Sequence, residues 1–281
     1  MGNHPALIPS VVHSALKKRY DLPIQSDVLF RLVDEPSDNY KDIIEGAIQG
    51  SVDYIGDGGQ FKNVDASFSS VSGYTNLFGG FMEIEMKEEK FSRINLLQRK
   101  MNNLSRSMRD FFDDLKWSAF ANATGVNTFN GSDWTDPSTG DPYTDIEKAL
   151  KLIQQASGMR ATHLILNTTM YIYLVAFKEY REYQYLGKSN MEKGYLDEKL
   201  SPNGLRILVV PDDNTYIATN SAWVCNAREC GADHESIPFT TVHRELSENP
   251  LTQRYYAWRM ATPSVDTIDA KNITKITGLD A

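Results

Sequence analysis

The hydrophobic pattern of one long segment, residues 91–124, stands out along the chain. Successive apolar residues in this segment lie three or four positions apart, which places their side chains on one stripe of an α-helix. These residues are Ile94, Leu97, Met101, Leu104, Met108, Phe111 and Leu115. No Pro or Gly interrupts the segment, and Gly125 is a suitable stop signal just after it. The pattern predicts a helix of roughly 28 residues, long enough for the other elements to pack against it.

A different pattern precedes this helix, in the stretch FMEIEMKEEKF. Met82, Ile84 and Met86 alternate there with charged residues, and this period of two is typical of a half-exposed strand. A weaker alternation covers residues 61–71, and a bend rich in Gly and aromatic residues separates the two stretches. We therefore predict a projecting β-hairpin over residues 51–92. Because a lone two-stranded hairpin is marginal in water, it needs a neighbour to lie on.

Residues 1–50 have the character of an arm, because no part of this segment is long enough to form its own core. A short helix is predicted over residues 11–20. A second helix is predicted to begin at Asp38 or Asn39, to run through Ile48 and to end near Gly50.

Helical and strand patterns alternate after the long helix. Residues 125–143 are rich in turn formers and read as a loop. Thr144 and Glu147 form a capping box for a helix that Gly158 closes. Further on, the stretches THLIL, LRILVVP, TYIAT and AWVCNA predict strands, and Asn167, Thr168 or Thr169 is expected to cap the helix after the first of them. A helix–strand–helix–strand order of this kind indicates a compact α/β domain over residues 144–235.

The last part of the chain returns to β character. Residues 238–246 and 251–265 can pair as long antiparallel strands joined by a turn at residues 247–250. The stretch DAKNITKITGL predicts one more short strand.

Composition narrows the class of protein. The chain has 281 residues, a formal net charge of −8 and a hydrophobic fraction of 41%, which are typical of an ordinary soluble protein. The negative charge argues against a dedicated nucleic-acid binder, although it leaves room for a local basic face. No apolar run is long enough for a membrane helix, and the first residues lack a signal-peptide pattern. Two Cys give no disulfide framework, so a reducing cytoplasm is expected.

Chemical motifs are scarce. The sequence contains no P-loop, no dinucleotide-binding glycine motif, no nucleophile elbow and no zinc-protease motif. Cys225, Cys230, His234 and His243 could in principle bind zinc, but their spacing is unlike a zinc finger, and Cys225 falls in an apolar strand pattern. We therefore predict no catalytic residues, no bound metal and no cofactor, and we favour a structural role over an enzymatic one.

The charges of the long helix are divided along its length. Basic residues occupy its first part and acidic residues follow, which is the reverse of what the helix macrodipole favours. Arg99, Arg106, Asp110 and Asp113 lie opposite the apolar stripe. Two interpretations remain open, namely a solvated polar face and a contact surface for partners outside the chain.

This order of elements resembles the major capsid proteins of tailed viruses, which have the Hong Kong 97 fold. The segments that carry the resemblance are the alternating FMEIEMKEEKF, the helix INLLQRKMNNLSRSMRDFFDDLKWSAFAN, the strand and helix ATHLILNTTMYIYLV, and the closing RYYAWRMATPSVDTIDAKNITKITGL. The resemblance covers residues 40–281, but it lies in the order of the elements and in their local sequence patterns rather than in a short motif.

The resemblance implies an α+β fold with a fixed plan. The expected parts are an N-terminal arm at 1–50, an extended β-hairpin called the E-loop at 51–92, a peripheral domain with a long spine helix at 93–143, an α/β axial domain at 144–235, and closing strands of the peripheral domain at 236–281. Lysine–asparagine crosslinks form between subunits in some relatives, and we assign no residues of this chain to those positions.

The implied function is a structural one. A capsid protein assembles with itself, through pentamers and hexamers, into an icosahedral shell that encloses the viral genome on its inner face without sequence specificity. Scaffold, portal or decoration proteins are further partners, a membrane is not, and the expected location is the virion after assembly in the host cytoplasm. The alternatives are an encapsulin-like compartment shell and a cytosolic α/β enzyme.

Within this plan we predict which residues contact neighbouring subunits. The apolar edge of the hairpin has no cover of its own, and the polar side of the spine carries charges of both signs. The candidate interface residues are Phe78, Met82, Ile84, Met86, Arg99, Arg106, Asp110 and Asp113.

Overall fold

A computed structural model of the chain shows a mixed α+β architecture. The structure describes residues 14, 16–18, 20, 24–49, 65–85, 96–178, 180, 199–200, 203–245 and 252–280. The helices are α1 (Leu96–Ala121), α2 (Pro142–Ser157) and α3 (Thr168–Ala176). The strands are β1 (Arg31–Asp34), β2 (Asn39–Gln49), β3 (Asp65–Tyr74), β4 (Leu77–Glu85), β5 (Asn127–Asn130), β6 (His163–Asn167), β7 (Lys199–Leu200), β8 (Arg206–Val210), β9 (Ala222–Cys225), β10 (Ala232–Glu245), β11 (Thr252–Ser264) and β12 (Ile273–Thr277).

The predicted spine helix is confirmed as α1, which is 26 residues long. Met101, Met108 and Phe112 are buried on its inner side, with Leu104 and Leu115 partly buried beside them. Because these side chains lie on one stripe, the helix can lie along a sheet and bury a continuous row of apolar groups.

The sheet under the spine has four strands in the order β1-β10-β11-β4. Strands β10 and β11 pair antiparallel as predicted, with Val242 opposite Tyr256, and β4 pairs antiparallel with the other edge of β11. Along β11 the residues alternate between buried and partly exposed. One face of the sheet therefore packs on α1, and the other face points outwards.

The hairpin differs from its prediction in both of its strands. Residues 39–49, predicted as a helix, form β2, which pairs antiparallel with β3, and a bulge interrupts the ladder between Glu45 and Ile48. Strand β4, predicted as the second hairpin strand, instead belongs to the four-stranded sheet. The described strands of the hairpin therefore cover residues 39–49 and 65–74, and residues 51–64 and 86–92 of the predicted E-loop lie outside the described residues.

The predicted α/β domain is built on a six-stranded sheet with the order β5-β12-β9-β6-β8-β7. Helix α2 packs on this sheet, and Ile146, Ile153, Leu164 and Leu166 are fully buried between the layers. Strand β12, predicted to close the peripheral domain, lies here between β5 and β9. The last strand of the described chain therefore completes the axial sheet.

Local signals in this domain were mostly predicted correctly. Gly158 ends α2 with a positive φ of 73°, and the Asn167 side chain accepts from the Met170 N–H to cap α3. The N-cap of α2 is Asp141 rather than Thr144, because the Asp141 side chain accepts from the Thr144 N–H at 3.0 Å. A short strand, β5, lies in the segment predicted as a loop, whereas the predicted strand TYIAT is irregular.

A third apolar cluster joins the spine helix to the six-stranded axial sheet. Trp117 and Phe120 at the end of the spine pack with Trp223 and Ile273 of the axial sheet and with Leu29 of the arm. The Phe120 and Trp223 ring centroids are 5.0 Å apart. Among the described helices, none is long and apolar enough to cross a membrane.

Candidate assembly surfaces

The inner side of β4 does not offer an interface. Met82 and Ile84 are 6% and 3% exposed, because they pack under the spine with Met101 and Met108 of the same chain. The prediction that their own subunit cannot cover them is therefore wrong. Met86 lies outside the described residues.

Phe78, another predicted contact residue, sits at the edge of the same cluster. It is half-buried, with its ring centroid 4.9 Å from that of Phe111 and 5.9 Å from that of Phe112. Phe111 is 42% exposed. This pair leaves an aromatic edge in solvent beside the spine.

The charged residues of the spine divide into two kinds. Arg99 is exposed, and Arg106 and Asp110 form an exposed i,i+4 ion pair at 3.4 Å. Asp113 instead accepts hydrogen bonds from the backbone N–H and the hydroxyl of Ser26, so it holds the arm within its own chain. An exposed pair of this kind adds little stability, and the exposed charges stay candidates for contact with another subunit.

The hairpin β2–β3 forms a two-stranded sheet of its own. Its described part makes no extensive contact with any other described element. Val71 and Tyr74 of β3 are 41% and 70% exposed. Since an isolated two-stranded hairpin is marginal in water, these side chains are available to a partner.

The base of the hairpin is held by a buried histidine. The ring of His234, in β10, stacks on the ring of Tyr40 with centroids 3.8 Å apart. Its Nδ1 lies 2.9 Å from a Glu35 carboxylate oxygen, and its Nε2 lies 3.0 Å from both the Ser264 hydroxyl and an Asp42 carboxylate oxygen. These contacts fix the direction in which the hairpin leaves the sheet.

The outward face of the four-stranded sheet is rich in apolar groups. Leu77 and Phe81 of β4 are 62% and 54% exposed, and Ile237 and Val242 of β10 are also exposed. The Phe81 ring lies 5.7 Å from the ring of Tyr256, its cross-strand partner. Exposed apolar residues that adjoin in this way typically mark an interaction surface.

The arm is bound to the spine and the sheet by buried charges. The Lys116 ammonium lies 2.6 Å from Asp27 of the arm and 2.9 Å from Asp233 of β10. The Arg259 guanidinium contacts Asp233 at 2.9 Å and also pairs with Glu235. Each charge in this cluster therefore faces an opposite charge, as buried ions require.

The surroundings shift the pKa of Asp233 and of Tyr20, whose hydroxyl accepts a hydrogen bond from the Arg259 guanidinium at 3.3 Å. Burial alone would raise the pKa of Asp233, but the charges of Lys116 and Arg259 outweigh it, and the pKa is lowered from its ordinary value. Burial raises the pKa of Tyr20 to about 12, although Arg259 opposes the shift. At neutral pH the carboxylate of Asp233 is thus charged and the hydroxyl of Tyr20 is neutral.

Of the four residues weighed as zinc ligands, Cys225, Cys230 and His234 do not form such a site within the described chain. Cys225 and Cys230 are buried free thiols, and the Cys230 Sγ donates to the Asn226 carbonyl oxygen. Both ring nitrogens of His234 have the partners named above. The described residues include no group of three or more His, Cys, Asp or Glu that could hold a metal ion.

Comparison with known proteins identifies the kind of chain that carries these surfaces. A family model described as phage capsid protein matches residues 77–276, which is most of the chain. The chain belongs to this phage capsid protein family. It is therefore a structural component of a virion. No curated protein sequence is significantly similar to this capsid protein.

Solved structures agree on its fold. The capsid protein is similar to the virus-like particle from Pyrococcus furiosus, with 13% identity, a TM-score of 0.62 and coverage of 95% of this chain and 98% of that one. The head structure of Helicobacter pylori bacteriophage KHP40 gives 11% identity, a TM-score of 0.64 and coverage of 90% and 88%. Mycobacterium phage Che8 gives 13% identity, a TM-score of 0.63 and coverage of 85% and 84%. The predicted Hong Kong 97 fold is confirmed.

Sequence reasoning missed the outward sheet face and the base of the hairpin. One signal was present, because Leu77 and Phe81 share the alternation of Glu83 and Glu85 and therefore fall on the exposed side of β4. No comparable signal marked His234, whose partners Glu35, Tyr40 and Asp42 are distant in the sequence.

Proposed function

We propose that the capsid protein assembles with copies of itself, through five- and six-fold capsomers, into a closed icosahedral shell around the viral genome. The observation that carries this proposal is the hairpin β2–β3, in which Val71 and Tyr74 are exposed and which makes no extensive contact with the other described elements. An element of this kind gains stability by lying on a second subunit.

The outward sheet face is the surface that we assign to the hairpin of a neighbouring copy. Leu77, Phe81 and Val242 are exposed on it, and burial of such side chains is worth about 1.5–3 kcal/mol each. Because the donor hairpin and the acceptor face belong to different parts of one subunit, the contact is head-to-tail. A head-to-tail contact closes into rings when its rotation permits, as capsomers require.

The proposal extends to the wider setting of the protein. Under this proposal assembly takes place in the host cytoplasm, with scaffold, portal or decoration proteins as further partners and no membrane. The chain acts by contact alone, without enzymatic turnover, bound metal or cofactor. The exposed spine charges Arg99, Arg106 and Asp110, together with Phe78 at the edge of the spine, are additional contact candidates between subunits.

Assembly is tested by changing the hairpin. We expect the wild-type protein to form shells visible by electron microscopy, and the double variant Val71→Glu, Tyr74→Glu to remain as small oligomers in sedimentation. The change introduces charge where a neighbour would bury apolar surface. Because both side chains are exposed in the single subunit, its circular dichroism spectrum should be unaltered. Tyr143→Glu, at an exposed tyrosine near the start of α2, is the matched control and should still assemble.

Three outcomes would contradict this proposal. Wild-type protein that stays monomeric under several salt conditions would argue against a shell. A hairpin variant that assembles as well as wild type would remove the hairpin from the contact. Shells purified with a protein cargo and no nucleic acid would favour the encapsulin-like alternative.

A further inference from the structure

A cleft of about 910 Å³ lies between the arm and one end of the axial sheet. The arm contributes side chains from residues 24–28, such as Ile24 and Val28. The sheet contributes the first residues of β6 and β8. Three arginines line this cleft, namely Arg160, Arg206 and Arg228. All three side chains are exposed to solvent.

Two of the cleft arginines, Arg160 and Arg228, are not balanced by acidic groups among the described lining residues. Asp27 is the one acidic residue among the described residues that line it, and its carboxylate is already paired with Lys116 at 2.6 Å. Within the part of the chain that the structure describes, neither Arg160 nor Arg228 has an ion-pair partner. The cleft is therefore a local basic site on a protein whose net charge is −8.

The backbone at Arg228 is a second, independent observation. Arg228 has a φ of 63°, and it is the only non-Gly residue with a positive φ in the described chain. Its N–H donates to the Val28 carbonyl oxygen at 3.0 Å, and the preceding Ala227 N–H donates to the Thr162 hydroxyl at 2.9 Å. Glycine would adopt this conformation at lower cost. The position instead carries a guanidinium at the edge of the cleft.

We infer that this basic cleft binds the phosphodiester backbone of the packaged nucleic acid and therefore faces the interior of the shell. Guanidinium groups match phosphate oxygens in geometry and keep their charge at any physiological pH. Because the net charge of the protein is −8, a local basic site is favoured over the surface as a whole for contact with nucleic acid. Phosphate contacts carry no sequence information, as a genome container requires. The inference rests on the proposed function.

The test measures binding of fluorescent duplex DNA to unassembled subunits over a series of salt concentrations. The double variant Arg160→Gln, Arg228→Gln should bind about tenfold or more weakly and lower the salt slope by about 2, one for each cation removed. Arg228→Gly alone should weaken binding while the melting temperature stays equal or rises, because it removes the charge and relaxes the backbone. The control, Lys151→Gln with Lys271→Gln, removes two exposed charges outside the cleft and should leave binding unchanged.

Several results would overturn the inference. The arginine variant could bind DNA like wild type, or the lysine control could lose as much affinity. Polyglutamate that displaced DNA at a lower concentration than unlabelled DNA would indicate an acidic protein partner. DNA that bound intact shells as strongly as free subunits would place the cleft outside. Shell formation is scored separately by electron microscopy, so a wild type without shells refutes the proposed function, whereas normal shells with unchanged DNA binding refute only the cleft.

Discussion

At the residue scale, Asp233 is a buried carboxylate that links several elements in the peripheral part of the protein. Its Oδ2 accepts from Lys116 of the spine and from Arg259 of β11, each at 2.9 Å. Lys116 in turn reaches Asp27 of the arm. One carboxylate thus connects two elements directly and a third through a shared partner. Removing one member of a buried pair typically costs about 3–5 kcal/mol.

The lowered pKa of Asp233 predicts how its contribution depends on pH. A depressed folded-state pKa gives stability that is complete above the unfolded value of about 3.9 and is lost as the pH falls through the folded value. The variant Asp233→Asn should therefore unfold more easily than wild type at pH 7, by about 3 kcal/mol. The difference should shrink as the pH falls below about 4. Urea titrations at several pH values measure it, and a difference that stays constant with pH would show that the charge of Asp233 is not its source.

At the scale of the element, the two faces of strand β4 have different roles, one in the fold of the subunit and the other in assembly. Ile84 points under the spine and is nearly inaccessible, whereas Phe81 on the opposite face is 54% exposed. The sequence alternation correctly gave a half-buried strand. It could not show which side had a cover, because the covering helix and the pairing strand β11 come from other parts of the chain.

The two faces of β4 predict opposite phenotypes for the same substitution. Ile84→Asp places an unpaired charge in the core and should leave the subunit insoluble or lower its melting temperature strongly. Phe81→Asp should leave a folded subunit that fails to form shells, because only the outward face loses its apolar contact. Circular dichroism melts and sedimentation separate the two readouts. A folded Ile84→Asp subunit, or normal shells from Phe81→Asp, would show that the faces are assigned wrongly.

Elements differ in how far the sequence determines them. The spine was predictable because its intervals of three and four fit a helix alone over many turns. Residues 43–48 were not, since their short apolar cluster suits a helix or a strand, and pairing with β3 decides between them. The exposed spine charges were likewise identified from sequence, whereas Asp113 gains its partner Ser26 only through the folded arm.

At the scale of the whole molecule, the axial sheet is completed by a distant part of the chain. Strand β12 pairs with β5 on one side and β9 on the other, so residues 127–130 and 273–277 are adjacent in space. Its residue Ile276 is fully buried in the axial core with Ile146 and Leu164. The predicted domain boundary at residue 236 therefore does not separate two independent folding units.

This arrangement predicts a long-range effect for a change near the end of the described chain. Ile276→Ala should destabilise the axial domain by about 2–5 kcal/mol, as for other large-to-small changes in a core. Hydrogen exchange should become faster in β5 and β9 together, because both lose a pairing partner when β12 detaches. The control Lys271→Ala, at an exposed residue just before β12, should change exchange little. Faster exchange confined to β12 itself would contradict the expected coupling.

The central position of β12 also sets the order of events during synthesis. The spine and β5 leave the ribosome well before β12, yet the axial sheet has a vacant edge between β5 and β9 until residue 277 has emerged. Contacts so far apart in sequence form late. A nascent chain consequently cannot present a finished axial domain to its neighbours. We therefore expect that a copy can join a shell only after β12 has been synthesised and has paired with β5 and β9.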